Sequence, residues 1–292
     1  MVLSGVQDRL APLQAWLFPQ RVYLELQDEA ITAMALEGRK LIWLERQPLP
    51  AGTCVAGRPC VPDALGDLLG DWLLERGFGG ARVAAVLPSQ ATALRLLQGD
   101  ADLAVSQREA LELPWPIDTP LDLIAQPLQL APGRSLLAAA EIALLESWIE
   151  VFALAALPLD RLEAAPLCAG QGADAEWVLL VEPGGCALFR VEAGIPQWQW
   201  LLPPPQPTEG LLEALIPCLA YRPQLQSLRL VVSAAAELEP HALGQELQQD
   251  LPVRVDVVDP VASGWLLDAR TDSPAALSTA LLWGLAAAEL VR

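Results

Sequence analysis

The sequence predicts an α/β protein of two related halves, with the boundary near residue 172: a first domain over 1–172 and a second over 173–292. Two patterns carry this reading. Each half opens with three short β-like runs joined by tight turns, and each continues into alternating helical and strand-like segments. A third observation supplies the material: 53% of the 292 residues are hydrophobic and only 18% charged, enough for two cores of ordinary size. Residue-by-residue repetition between the halves is too faint to use.

In the first half, Leu10, Leu13 and Leu17 stand at helical spacing ahead of Pro19, which predicts a leading helix over 6–18. Runs 22–26, 30–36 and 41–45 then form a meander, and Gly38 sits where the second turn wants a positive φ. A Gly- and Pro-rich loop covers 50–62. Pro62 suits a first helical turn and Asp63 the positive end of the helix dipole. Leu65, Leu69, Trp72 and Leu73 give that helix one apolar face, and Gly77 ends it. Strands are predicted over 82–88 and 91–97, then a short helix over 107–113 stopped by Leu113-Pro114-Trp115-Pro116. Strand-like runs 121–130 and 136–140 precede an amphipathic helix carrying Ile142, Leu145, Ile149 and Phe152.

The second half repeats the scheme. Strands over 177–181, 186–191 and 195–202 are joined by Pro183-Gly184-Gly185 and Glu192-Ala193-Gly194. Trp198 and Trp200 fall on one face by period two. A helix around 211–219, a strand over 228–233, a helix over 240–250, a strand over 253–258 and a helix over 274–291 complete it.

Composition removes several functions. The formal charge is −18, with 36 acidic side chains against 18 basic ones and a single lysine, Lys40. Nucleic-acid binding and anionic lipid surfaces both require clustered basic residues, so neither is expected. A basic peptide would be attracted. No apolar stretch reaches the ~20 residues a spanning helix needs, and no secretory signal opens the chain, so a cytoplasmic protein without direct membrane insertion is expected. The five cysteines, Cys54, Cys60, Cys168, Cys186 and Cys218, lack C-x-x-C spacing, and with one histidine no metal site is expected; buried free thiols are.

Walker, dinucleotide-fold and nucleophile-elbow motifs are all absent. His241 beside a helix start reads as a surface residue, and Asp100/Asp102 as acidic surface. Trp43, Trp72, Trp148 and Trp283 fall on apolar faces and read as core, whereas Trp115, Trp198 and Trp200 are candidates for exposed anchors.

Four segments carry a resemblance: Leu24-Glu25-Leu26-Gln27-Asp28-Glu29-Ala30; 82–88 with 107–123; 136–165; and 178–190 with 228–260. In order, they resemble the PilM family of type IV pilus assembly proteins, with FtsA and the GspL cytoplasmic domain as relatives. The resemblance implies an actin-like two-domain α/β fold with an inserted subdomain at about 83–130. It implies a cytoplasmic scaffold recruited to the inner membrane through a PilN-like protein, whose N-terminal tail it binds, alongside other pilus assembly components. It places partner contacts near the inserted subdomain, at Trp115, Ile117, Asp118 and Asp122. Trp115 is equally readable as an interior plug.

The family's ATP site uses an acidic residue and glycines at two hairpin turns, where backbone N–H groups approach the phosphates and a Mg ion. Here Glu25 and Gln27 stand at the first turn, Glu182, Pro183, Gly184 and Gly185 at the second, and Ser233-Ala234-Ala235-Ala236 replaces a Gly-rich adenosine loop. Gly284 is a further remnant. These departures imply a vestigial site, no ATP or Mg cofactor, and a pseudo-ATPase. The alternatives are an active actin-like ATPase and a GspL-like component of type II secretion.

Overall fold

The computed structural model describes residues 20–98, 123–131, 134–173, 177–192, 194–220, 225–259, 266–267 and 279–290. In chain order the first half holds β1 (Arg21–Leu26), β2 (Ala30–Glu37), β3 (Lys40–Pro48), β4 (Cys54–Val55), β5 (Arg58–Pro59), α1 (Pro62–Glu75), β6 (Arg82–Leu87), β7 (Thr92–Gln98), β8 (Leu123–Ala131), β9 (Arg134–Glu141), α2 (Ile142–Leu154), β10 (Leu159–Ala164) and α3 (Ala165–Ala169). The second holds β11 (Trp177–Glu182), β12 (Gly185–Glu192), β13 (Ile195–Leu202), α4 (Thr208–Ala220), β14 (Ser227–Val232), α5 (Pro240–Asp250), β15 (Arg254–Val257), β16 (Leu266–Leu267) and α6 (Ala280–Leu290). The expected leading helix and the helix over 107–113 lie outside the described residues.

The two main sheets share one topology. The first runs β10-β6-β1-β2-β3 and the second β15-β14-β11-β12-β13, so each meander's first strand pairs in parallel with a strand that follows a helix. β16 returns from the second half to pair with β3 at the far edge of the first sheet. A three-stranded antiparallel sheet, β7-β9-β8, is inserted between β6 and α2.

Period-two alternation sorts the side chains into layers. Val22, Leu24 and Leu26 of β1 face a core shared with α1 and α2, where Trp148 and Phe152 are buried. Leu179 and Val181 of β11 face the matching core beneath α4 and α5. The opposite faces, with Tyr23 from β1 and Val178 and Leu180 from β11, meet a central layer formed by α3 and α6. Glu25 and Glu182 stand on these inner faces by the same alternation.

Local signals explain the boundaries. Gly77 takes φ +83°, its N–H reaches the Leu74 carbonyl at 3.0 Å, and the Phe78 N–H reaches Leu73 at 2.7 Å. That pattern closes α1 on a left-handed glycine. Two expectations are corrected. Cys60 is exposed, because a two-residue hairpin, β4–β5, turns it outward, while Cys54, Cys168 and Cys186 are buried. Trp200 is no free anchor: its ring stacks on Trp177 at 5.7 Å and 13°. Trp72, Trp148 and Trp283 are buried, and Trp43 packs against the first core.

Candidate functional site: a polar clasp between the two sheets

The first meander turn places Glu25 and Gln27 on the inner face at the end of β1. Both are buried. The Gln27 N–H closes the turn on the Ala30 carbonyl at 3.2 Å. Asp28, next in the chain, accepts from the Gly57 and Ala56 N–H groups at 2.7 and 2.8 Å, which fixes the turn against the β4–β5 hairpin. The second meander turn begins at Glu182, the buried last residue of β11, and passes through Pro183 and Gly184.

The two turns meet directly. Gln27 Nε2 donates to Glu182 Oε1 at 2.9 Å. The Ser89 N–H donates to Glu182 Oε2 at 3.0 Å, and the Ser89 hydroxyl donates to the same oxygen. Gln199 Nε2 in turn donates to the Ser89 carbonyl at 3.1 Å. On the other side of the clasp, the Ser233 hydroxyl donates to Glu25 Oε1 and accepts from the Ala235 N–H at 3.1 Å. Gln90 covers the second turn: a Cβ built on Gly184 would lie 2.6 Å from its Nε2.

Electrostatics follow from burial. Removal from water pushes Glu25 up to about 7, the Ser233 hydrogen bond opposes that rise, and repulsion from Glu182 adds to it. Burial likewise raises Glu182, against the bonds from Ser89 and Gln27. Glu25 Oε2 has no hydrogen-bond partner. Burial and the proximity of the two acids thus both favour a protonated carboxyl in the clasp, which lowers the cost of burying them together.

The polar groups at the two turns are engaged with one another. A phosphate site needs N–H donors aimed at an anion. Here the Ser89 N–H and the Gln27 amide are spent on Glu182, and Gln90 lies on the glycine that phosphate would approach. Among the described residues, no three His, Cys, Asp or Glu side chains gather to hold a metal ion.

Of the residues read from the sequence, Glu25, Gln27, Glu182 and Gly184 are brought together here, and Gly185 opens β12 beside them. Gly284 does other work. It sits where α6 crosses α3, and a Cβ there would lie 2.0 Å from the Cys168 carbonyl oxygen. His241 is exposed at the start of α5, whose N-terminus Glu239 caps. Trp115, Ile117, Asp118 and Asp122 lie outside the described residues. Ser89, Gln90 and Gln199 were missed, and nothing in their local sequence marks them.

Neither a protein-family model nor a curated protein matches the chain. Solved structures do. The PilM–PilN type IV pilus biogenesis complex matches with a TM-score of 0.68 at 19% identity, over 92% of this chain and 98% of that one. The fold is actin-like. A Bacteroides thetaiotaomicron protein with actin-like ATPase fold agrees, with a TM-score of 0.54 at 13% identity over 90% of this chain and 95% of that one. The cytoplasmic domain of EpsL, an inner membrane component of the type II secretion system of Vibrio cholerae, gives 0.55 at 8% identity over 94% and 95%. The topology the two sheets share is thus that of an actin-like fold, and the clasp lies at their facing turns.

Proposed function

We propose that this chain is a scaffold of a type IV pilus assembly machine. It binds the N-terminal tail of a PilN-like inner-membrane protein and, through it, the other assembly components. Its interdomain cleft is held by side chains rather than by ATP, so it works as a pseudo-ATPase. The likeness to the PilM–PilN complex, which covers 98% of that chain, supports the pilus reading. The observation that carries the rest is the Gln27–Glu182 hydrogen bond of 2.9 Å, which joins the two turns an actin-like ATPase would hold apart around phosphate.

In this reading attachment to the inner membrane runs through the partner; among the described residues no helix is long and apolar enough to cross a membrane. The contact with the tail is placed at Trp115, Ile117, Asp118 and Asp122. The prolines flanking Trp115 stiffen the segment, so little entropy is lost on binding, and the two aspartates suit an arginine on the tail. The EpsL likeness favours one second reading, a component of type II secretion; the partner tail that binds separates the two.

Calorimetry of the full chain against the PilN-like tail peptide tests this. Binding is expected with the same affinity in the presence and absence of ATP and Mg. Trp115→Ala is expected to cost ~2 kcal/mol of affinity in a folded protein. Unchanged affinity in that folded variant, or binding that requires ATP, would contradict the proposal.

A further inference from the structure

One edge of the second sheet is occupied by a side chain. Among the described residues β15 is the last strand on its side, beyond β14. The Arg254 and Val258 N–H groups donate inward, to the Gln226 and Leu230 carbonyls at 3.1 and 3.0 Å. Backbone groups alternate in direction along a strand, so Val253, Val255 and Val257 turn theirs away from β14. Gln248, in the last turn of α5, meets two of these groups. Its Nε2 donates to the Val253 carbonyl at 2.9 Å, and its Oε1 accepts from the Val255 N–H at 2.8 Å. A parallel neighbouring strand would bond the same carbonyl and the same N–H through the N–H and carbonyl of one residue. The Gln248 amide stands in that residue's place.

An uncovered edge invites another strand, and this edge is complementary to itself. Val253, Val255 and Val257 pack against the second core, which leaves Arg254 and Asp256 together on the other face of β15. Their side chains are 72% and 45% exposed and are bonded to each other at 2.7 Å. A second copy related by a two-fold axis through Val255 would run antiparallel to the first. Val255 then meets Val255 of the second copy with both outward N–H and carbonyl groups exchanged, the hydrogen-bonded pair of an antiparallel ladder. Arg254 of each copy falls opposite Asp256 of the other, so one ion pair within a strand becomes two across strands. An axis through Arg254 or Asp256 would instead set like charges opposite one another. Charge thus selects a single register.

We propose that Gln248 guards a self-association edge: with its amide in place the chain stays single, and where the amide is displaced two copies join β15 to β15 in one continuous sheet. β15 has four residues, so pairing gains few ladder bonds, and the two that Gln248 already satisfies decide the balance. None of these residues belongs to the clasp, and the proposal stands independently of the pilus reading.

Sedimentation velocity of the full chain over a concentration series tests this. Gln248→Met keeps the length of the side chain but cannot hold the edge, and it is expected to dimerise at least about tenfold more tightly than the natural protein. Gln248→Ala should do the same, and thermal melts establish that each variant folds. Asp256→Arg added to Gln248→Met sets arginines opposite one another and should return the monomer. Arg254→Asp added to that pair restores opposite charges across the strands and should return the dimer. A folded Gln248→Met or Gln248→Ala protein that associates no more tightly than the natural one would overturn the proposal. Assembly that Asp256→Arg leaves unchanged would place the surface elsewhere and overturn it equally. So would a natural protein already dimeric through this edge and separated by Asp256→Arg, since Gln248 would then guard nothing.

Discussion

Gly284→Ala is expected to cost about 3 kcal/mol or more in chemical denaturation, or to prevent the protein from accumulating folded. The reason is local and severe. The added Cβ would stand 2.0 Å from the Cys168 carbonyl oxygen and 2.8 Å from its carbon, so it meets backbone rather than a side chain that can turn away. That backbone belongs to α3, and α3 and α6 together form the central layer between the sheets, with Cys168, Leu281, Leu282, Trp283 and Leu285 all buried. Relief would require α6 to lift from α3, which opens contacts to both sheets at once. Gly210, in the first turn of α4, is the control: a Cβ there meets nothing within 4 Å, and Gly210→Ala is expected to be neutral or to stabilise by up to ~1 kcal/mol. Equal stabilities for the two variants would show that the helices can part at little cost.

Glu25→Gln is expected to flatten the dependence of stability on pH. In the unfolded chain a glutamate ionises around 4.5; in the fold, burial holds Glu25 up to about 7. Between those values the folded protein binds the proton that the unfolded chain has released, so stability falls as pH rises through this window and the loss is complete above 7. A difference of this size corresponds to roughly 3 kcal/mol, and Glu182, raised by the same burial, acts in the same direction. Glutamine keeps an oxygen to accept from Ser233 and has no proton to lose. Denaturation midpoints compared at pH 5 and pH 8 should therefore fall for the natural protein and fall much less for the variant. Parallel pH curves would show that Glu25 ionises freely and that water reaches the clasp.

The fold was legible wherever a period runs long enough. The β-like runs of the first meander, the 3.6-residue spacing of Leu65, Leu69, Trp72 and Leu73, and Gly77 as a stop each state a local preference that packing then keeps. Short elements escaped. β4 and β5 span two residues each inside a Gly- and Pro-rich loop, and α3 spans five, too few to establish any period. The clasp was half legible. Glu25, Gln27 and Glu182 drew attention as departures from a family pattern at turns the sequence marks clearly. Their pairings did not: Ser233 stood out only as part of a replaced loop and Ser89 not at all, and Ser233 lies 208 residues from Glu25 and Ser89 93 from Glu182. Contacts at that separation are made by topology, and a serine after a strand carries no signal of them. Gly284 shows the converse: a lone glycine is compatible with phosphate approach and with helix crossing, and only the backbone of Cys168 distinguishes them.

The most direct test of the central claim is a thermal melt of the full chain titrated with ATP and Mg. A ligand at about 100 times its dissociation constant stabilises a fold by ~2.7 kcal/mol, a shift any melt resolves. With Gln27 bonded to Glu182 and Gln90 set against Gly184, no shift is expected up to millimolar nucleotide. A saturable rise in melting temperature that depends on Mg would mean that the two turns part to admit phosphate, and the account of a side-chain clasp in place of nucleotide would be wrong.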